Sequence, residues 1–171
     1  MKAKTFVSEA LLDTLIARNK DNPGALLGVL EEAQNLHTNN YLPEETLSLI
    51  SHKMNLPLSQ VYSVATFYSY FNLHPQGDHS LIVCRGTACH TRGSKALLEE
   101  AGIQLGAQGA FEKGAASFTT PDHKFTLKTV ACFGQCALSP VVSLDGCIHS
   151  KMNTTRLKKL ISEIDSAGGN P

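Results

Sequence analysis

The chain has 171 residues, in which fifteen Lys and Arg balance fifteen Asp and Glu for a formal net charge of zero. That length allows one ordinary domain or two small ones without disulfide staples, and the neutral balance gives no basic footprint for nucleic acid or for an anionic membrane surface. No stretch approaches the ~20 consecutive apolar residues of a membrane span, and "MKAKTFVSEALLDTL" has no secretory h-region or cleavage site, so the chain reads as cytoplasmic, with protein partners.

In chain order, the first elements are helical. Phe6, Ala10, Leu11 and Leu15 follow amphipathic spacing, with Ser8 and Glu9 near the start. "GALLGVLEEAQNLH", "PEETLSLISHKM" and "PLSQVYSVATFYSYF" read as three further helices. Pro23, Pro43 and Pro57 stand near their starts, where a missing N–H costs nothing, and Glu44 and Glu45 favour the positive end of the third. In the fourth, Val61, Tyr62, Val64, Ala65, Phe67, Tyr68 and Phe71 cover most of the circumference. This predicts a helix packed on several sides, with its aromatic stripe in a core.

"HPQGD", His74 to Asp78, breaks the pattern. Beyond it, "HSLIVC" reads as a buried strand and "RGSKALLEEAGIQL" as an amphipathic helix. "KFTLKTVAC" alternates Phe125, Leu127 and Thr129 against Lys124, Thr126 and Lys128, and Asp145-Gly146 in "PVVSLDGCIHS" is a hairpin signal. A closing helix follows, with Asn153 or Thr154 as cap, Leu157, Leu160, Ile161 and Ile164 on one face, and Gly168-Gly169 at its end. The reading is α/β: a four-helix bundle over residues 1–74, then a thioredoxin-like sheet-and-helix domain over 78–171.

Each of two cysteine pairs begins where a predicted strand runs out, so both loops can meet at one end of the sheet. Cys84 and Cys89 enclose four residues, Cys132 and Cys136 enclose three, and forty-two separate the pairs. A redox dithiol would have two residues between its cysteines, which neither pair has. Four thiolates can hold structural zinc or a [2Fe-2S] cluster, and spacing leaves both open. The small residues Gly86, Ala88, Gly134 and Ala137 favour the cluster, because they let backbone N–H groups approach its sulfurs.

C-x4-C followed by C-x3-C, preceded by "YLPEE" and "VYSVATFYSYF", resembles the small thioredoxin-like [2Fe-2S] subunit family of NADH:quinone oxidoreductase, the 24 kDa subunit of complex I. The likeness covers roughly residues 7–165. "GTACHTRG" and "CFGQCALSPVV" look most like the branch in NAD(P)-linked and electron-bifurcating [FeFe]-hydrogenases and formate dehydrogenases. The resemblance implies one [2Fe-2S] cluster on Cys84, Cys89, Cys132 and Cys136. It also implies an electron-transfer role, flavin and NAD(P) held by a partner subunit, a further iron-sulfur catalytic subunit, and a helical N-terminal half that docks to a partner. In this family a proline at the place of Pro140 leads into the next strand. Cys147 has no counterpart among the family's ligands and reads as a strand residue. His90 reads as a helix-start residue, while Arg85 and Arg92 are placed to offset cluster charge or to be solvated. No G-x-G-x-x-G follows a strand and no catalytic triad or carboxylate pair is supported, so no catalytic site is expected on this chain. A zinc-stabilised interaction module and a free-standing thioredoxin-like ferredoxin are the alternatives.

Overall fold

The computed structural model describes residues 7–167, so Phe6 and the Gly168-Gly169 terminator lie outside the described residues. The chain divides into two compact units between Gln76 and Gly77.

The first unit holds four helices: α1 (Glu9–Asn19), α2 (Ala25–Leu36), α3 (Glu44–Met54) and α4 (Leu58–Phe67). Ser8 caps α1, its hydroxyl accepting the Leu11 N–H. The buried face of α1 is Leu12 and Leu15, whereas Ala10 and Leu11 face water, which corrects the predicted stripe by one position. With Val29, Leu30, Ala33, Leu47, Ile50 and Val61, these residues make a continuous apolar core. The expectation for α4 is also corrected. Only Val61 and Ala65, one turn apart, are buried; Phe67 is 80% exposed, and Tyr62, Tyr68 and Tyr70 are exposed as well. The helix ends at Phe67, so the following aromatics lose its phase. Their rings meet one another edge-on, Phe67 against Tyr68 at 5.0 Å and Tyr70 against Phe71 at 5.6 Å.

The second unit is a five-stranded sheet of order β2-β3-β1-β4-β5, from β1 (His79–Cys84), β2 (Ser117–Thr119), β3 (Phe125–Val130), β4 (Val142–Leu144) and β5 (Cys147–His149). β1 and β3 are parallel and the other pairings antiparallel. β2 carries too few residues to show a period and escapes sequence reading. Between β1 and β3 run α5 (Thr87–Thr91) and α6 (Ser94–Leu105), where sequence reading has one helix. Gly93, at φ +97°, separates them with a left-handed backbone that L side chains rarely adopt. α7 (Thr154–Ala167) begins under an Asn153 cap whose carboxamide accepts the Arg156 N–H at 2.8 Å.

Leu97, Leu98 and Ala101 of α6 and Leu157 and Ile161 of α7 share a core with Leu81, Val83, Phe125 and Leu127 of the sheet. Asp145 and Gly146 both have positive φ, as a two-residue hairpin of the primed type requires. Among the described residues no helix is long and apolar enough to cross a membrane.

Candidate iron-sulfur site

β1 and β3 run parallel with Cys84 opposite Val130, so both chains leave the sheet at the same end. The loop after β1 carries Cys84 and, on α5, Cys89. The loop after β3 carries Cys132 and, at the start of a 3-10 turn over Cys136–Leu138, Cys136. All four line one small cavity, closed by Gly86, Phe133 and Val141. A wider cleft, about 500 Å³, lies in the helical unit beside Ser48, His52 and Leu58, and gathers no comparable set of ligands.

The Cys132 and Cys136 sulfurs stand 3.8 Å apart. Two thiolates on one tetrahedral metal, each at ~2.3 Å, would be separated by about 3.8 Å, so this pair is already at the distance of two ligands of one ion. The Cys84 thiol in turn interacts with those of Cys89 and Cys132, so all four sulfurs gather at one place, and four such thiolates can serve one tetrahedral ion or be shared between the two irons of a binuclear cluster.

Backbone donors surround the sulfurs. Gly134 N–H points to the Cys132 sulfur at 3.2 Å. At Cys84 burial works to raise the thiol's pKa, but N–H groups of Gly86 and Phe133 and the neighbouring thiols of Cys89 and Cys132 outweigh it, and the net shift is downward. Burial, reinforced by the Cys84 thiol, pushes Cys89 up against the Val141 N–H. The Cys136 thiol is raised by its neighbour Cys132. Crowded thiols cannot all ionise without a cation among them, so this donor set fits a group that brings positive charge.

Gly86 explains how the loops come so close. A Cβ there would lie 2.9 Å from the Ala131 carbonyl oxygen and 3.4 Å from the Cys132 sulfur. Arg92 adds a second tie, donating from Nη1 to the Ser139 carbonyl at 3.4 Å. The Ser139–Pro140 peptide is cis and leads into β4.

Of the other residues singled out by sequence, Cys147 is exposed on β5 and is not among the residues lining the cysteine cavity. His90 and Arg85 are exposed. Sequence reasoning missed the Phe133 and Val141 N–H donors, which no side chain advertises, and the Arg92 to Ser139 link, whose only sequence signal is the arginine beside the first pair.

The model of the thioredoxin-like [2Fe-2S] ferredoxin family matches residues 12–165. The chain belongs to that family, and its cofactor is accordingly one [2Fe-2S] cluster. It is 34% identical over 140 residues to the NADP-reducing hydrogenase subunit HndA of Solidesulfovibrio fructosivorans, covering 82% of this chain and 77% of the relative. It is 31% identical over 155 residues to an NADH-quinone oxidoreductase subunit of Rickettsia typhi, covering 90% and 86%. With an NADH-quinone oxidoreductase subunit of Rhizobium meliloti it shares 33% over 156 residues, 91% and 88% of the two chains. The fold is shared with an NAD+-reducing [NiFe]-hydrogenase solved in its air-oxidised state, with TM-score 0.66 and 21% identity over 83% of this chain. The chain spans 23% of that solved chain.

Proposed function

We propose that Cys84, Cys89, Cys132 and Cys136 ligate the [2Fe-2S] cluster and that the chain is the electron-transfer subunit of an NAD(P)-linked oxidoreductase complex in the cytoplasm. The observation that carries the reading is the convergence of four thiols from two distant loops at one end of a parallel strand pair, one pair 3.8 Å apart. The cluster, when bound, takes up and returns single electrons. The protein's share is to hold it between the loops and to aim N–H groups of Gly86 and Phe133 at the Cys84 sulfur, Val141 at Cys89 and Gly134 at Cys132, which would set how readily the ligated group accepts charge.

The partners on this reading are a flavin-containing subunit that binds NAD(P) and a further iron-sulfur catalytic subunit. The relatives named as subunits of an NADP-reducing hydrogenase and of NADH-quinone oxidoreductases support it. The helical unit serves to dock the flavin-containing subunit. Cytoplasmic placement belongs to this reading because four of the five cysteines are needed as free thiolates for ligation, which a reducing compartment favours.

The test is anaerobic purification followed by metal and sulfide analysis. A reddish-brown chain with two irons, two acid-labile sulfides and an S = 1/2 signal after one-electron reduction is expected. Stoichiometric zinc in a colourless protein would overturn the cluster assignment. Co-purification of a flavoprotein separates a complex subunit from a free-standing ferredoxin.

A further inference from the structure

We infer that the exposed rim formed by residues 131–138 is the docking surface for a redox protein that presents carboxylates. The inference rests on the ligand assignment above and names the chemistry of the partner.

The four cysteines are not equivalent toward solvent. Cys84 and Cys89 are 2% and 3% exposed, whereas Cys132 and Cys136 are exposed, as are all residues from 131 to 138 except the half-buried Phe133. Electron tunnelling falls steeply with distance, so a partner reaches the site best over the Cys132–Cys136 edge. Leu138, 39% exposed, puts an apolar side chain on that edge.

Three cations are tied to the chain at or next to the Leu138 end of this rim. Arg92 reaches the Ser139 carbonyl, the Lys151 N–H bonds the Leu138 carbonyl at 2.9 Å, and Arg156 donates to the carbonyls of Ser150 and Lys151 at 3.4 and 3.2 Å. All three side chains are exposed. None pairs with a carboxylate among the described residues, although Lys95, Lys124, Lys158 and Lys159 of this unit do. Arg156 also sits in the first turn of α7, which holds no acidic residue. The macrodipole favours acids there and disfavours a cation, and the bonds to the Ser150 and Lys151 carbonyls hold the charge in place against it.

The positive charge is local to this part of the unit, because Lys95, Lys124, Lys158 and Lys159 are balanced by Glu99, Asp165, Glu100 and Glu163. Asp145, the acid nearest Cys147 in sequence, belongs to the opposite end of the sheet. Its carboxylate bonds His79 and the Ser80 N–H at the start of β1, five residues or roughly 16 Å along the strand from Cys84. A patch of one sign beside the exposed edge steers a partner of the other sign.

The experiment uses the full chain with its cluster, reduced with dithionite and mixed in a stopped-flow cell with ferricyanide or with cytochrome c. Each accepts one electron per molecule, giving ferrocyanide or ferrocytochrome c, while the cluster returns to its oxidised spectrum. A neutral chain bearing a four-thiolate cluster is negative as a whole, so uniform charge would make the ferricyanide rate rise with salt. The inference predicts a fall of roughly tenfold from low to high ionic strength, as the local cations are screened, and a rise for the basic cytochrome. Lys151→Glu should flatten or invert both trends while leaving the visible spectrum and reduction potential in place. Arg156→Glu should do the same, and Lys151 is the cleaner site because its side chain makes no hydrogen bond or ion pair among the described residues. A coloured protein whose ferricyanide rate rises with salt, or whose trends survive both substitutions, overturns the docking surface alone. A colourless protein without acid-labile sulfide overturns the ligand assignment, and this inference with it.

Discussion

Gly86 is the residue on which the geometry of the site turns. Its backbone, at φ −58° and ψ 155°, is open to any residue, so the need for glycine is steric and not conformational. Gly86→Ala would press a methyl group onto the Ala131 carbonyl and the Cys132 sulfur. We expect a cost of about 1–3 kcal/mol, read as a lower thermal midpoint and less iron per chain after reconstitution. The cysteines divide at the same scale. Cys136→Ser should strongly perturb the visible spectrum, and Cys147→Ala should leave it intact, since Cys147 is an exposed strand residue in register with Leu144. A bleached Cys147→Ala protein beside an unchanged Cys136→Ser would reverse the assignment. The sequence made the four thiols and the need for small neighbours legible, because both are side-chain properties. It could not show which sulfurs are buried, because Cys84 and Cys136 owe their difference to the chain segments folded over them.

Among the elements, the strands and helix starts with local signals were legible: Ser8 near the start of α1, Asn153 as one of two candidate caps of α7, the Asp145-Gly146 turn, and the alternation of Phe125 and Leu127. Alternation alone would leave Thr126 on the wetter face of β3, yet it is fully buried. Its hydroxyl accepts the Gly77 N–H at 2.6 Å and shares a hydrogen with the Thr119 hydroxyl at 2.9 Å. Thr126→Val keeps the shape and removes the acceptor, so a loss of about 1–3 kcal/mol is expected in denaturant unfolding. His37 supplies a pH dependence to the helical unit. Burial lowers its pKa, and its Nδ1 accepts the Asn39 N–H at 3.3 Å, a bond that requires the neutral ring. The unfolded chain therefore binds the proton more readily. Stability contributed by the neutral ring is full above about pH 6.5 and is lost as pH falls below it. Thermal midpoints should decline from pH 7 to pH 5 in the native chain and decline less in His37→Gln.

For the molecule as a whole, two units with separate apolar cores give the expectation that they part in function as well as in packing. A chain beginning at Gly77 retains the Thr126 bond and every cysteine. It should keep the visible spectrum of the cluster and lose binding to the flavin-containing subunit, measured by pull-down on the same sample. Loss of the spectrum would show that the two units form one cooperative core, and retained binding would remove the docking role from the helices. The exposed rings of Phe67 and Tyr70 are the natural contacts, so Phe67→Ala should weaken association several-fold without changing the spectrum.

The chemistry available to this protein is written in its linear chain: two thiol pairs with small residues between them, helices before strands, and no charge excess to bind a polyanion. Those features are local, carried by spacing over a few residues. Other features depend on partners far apart in the chain and exist only once it has folded. The parallel register of β1 and β3 brings Cys84 level with Val130 and so joins the two loops. The end of α4 at Phe67 turns a core-like aromatic stripe toward water. The fold also ties Arg92, Lys151 and Arg156, separate in sequence, to the backbone at Ser139, Leu138 and Lys151. Periodicity reports which face of an element is apolar, but which faces are finally covered is set by what packs against them.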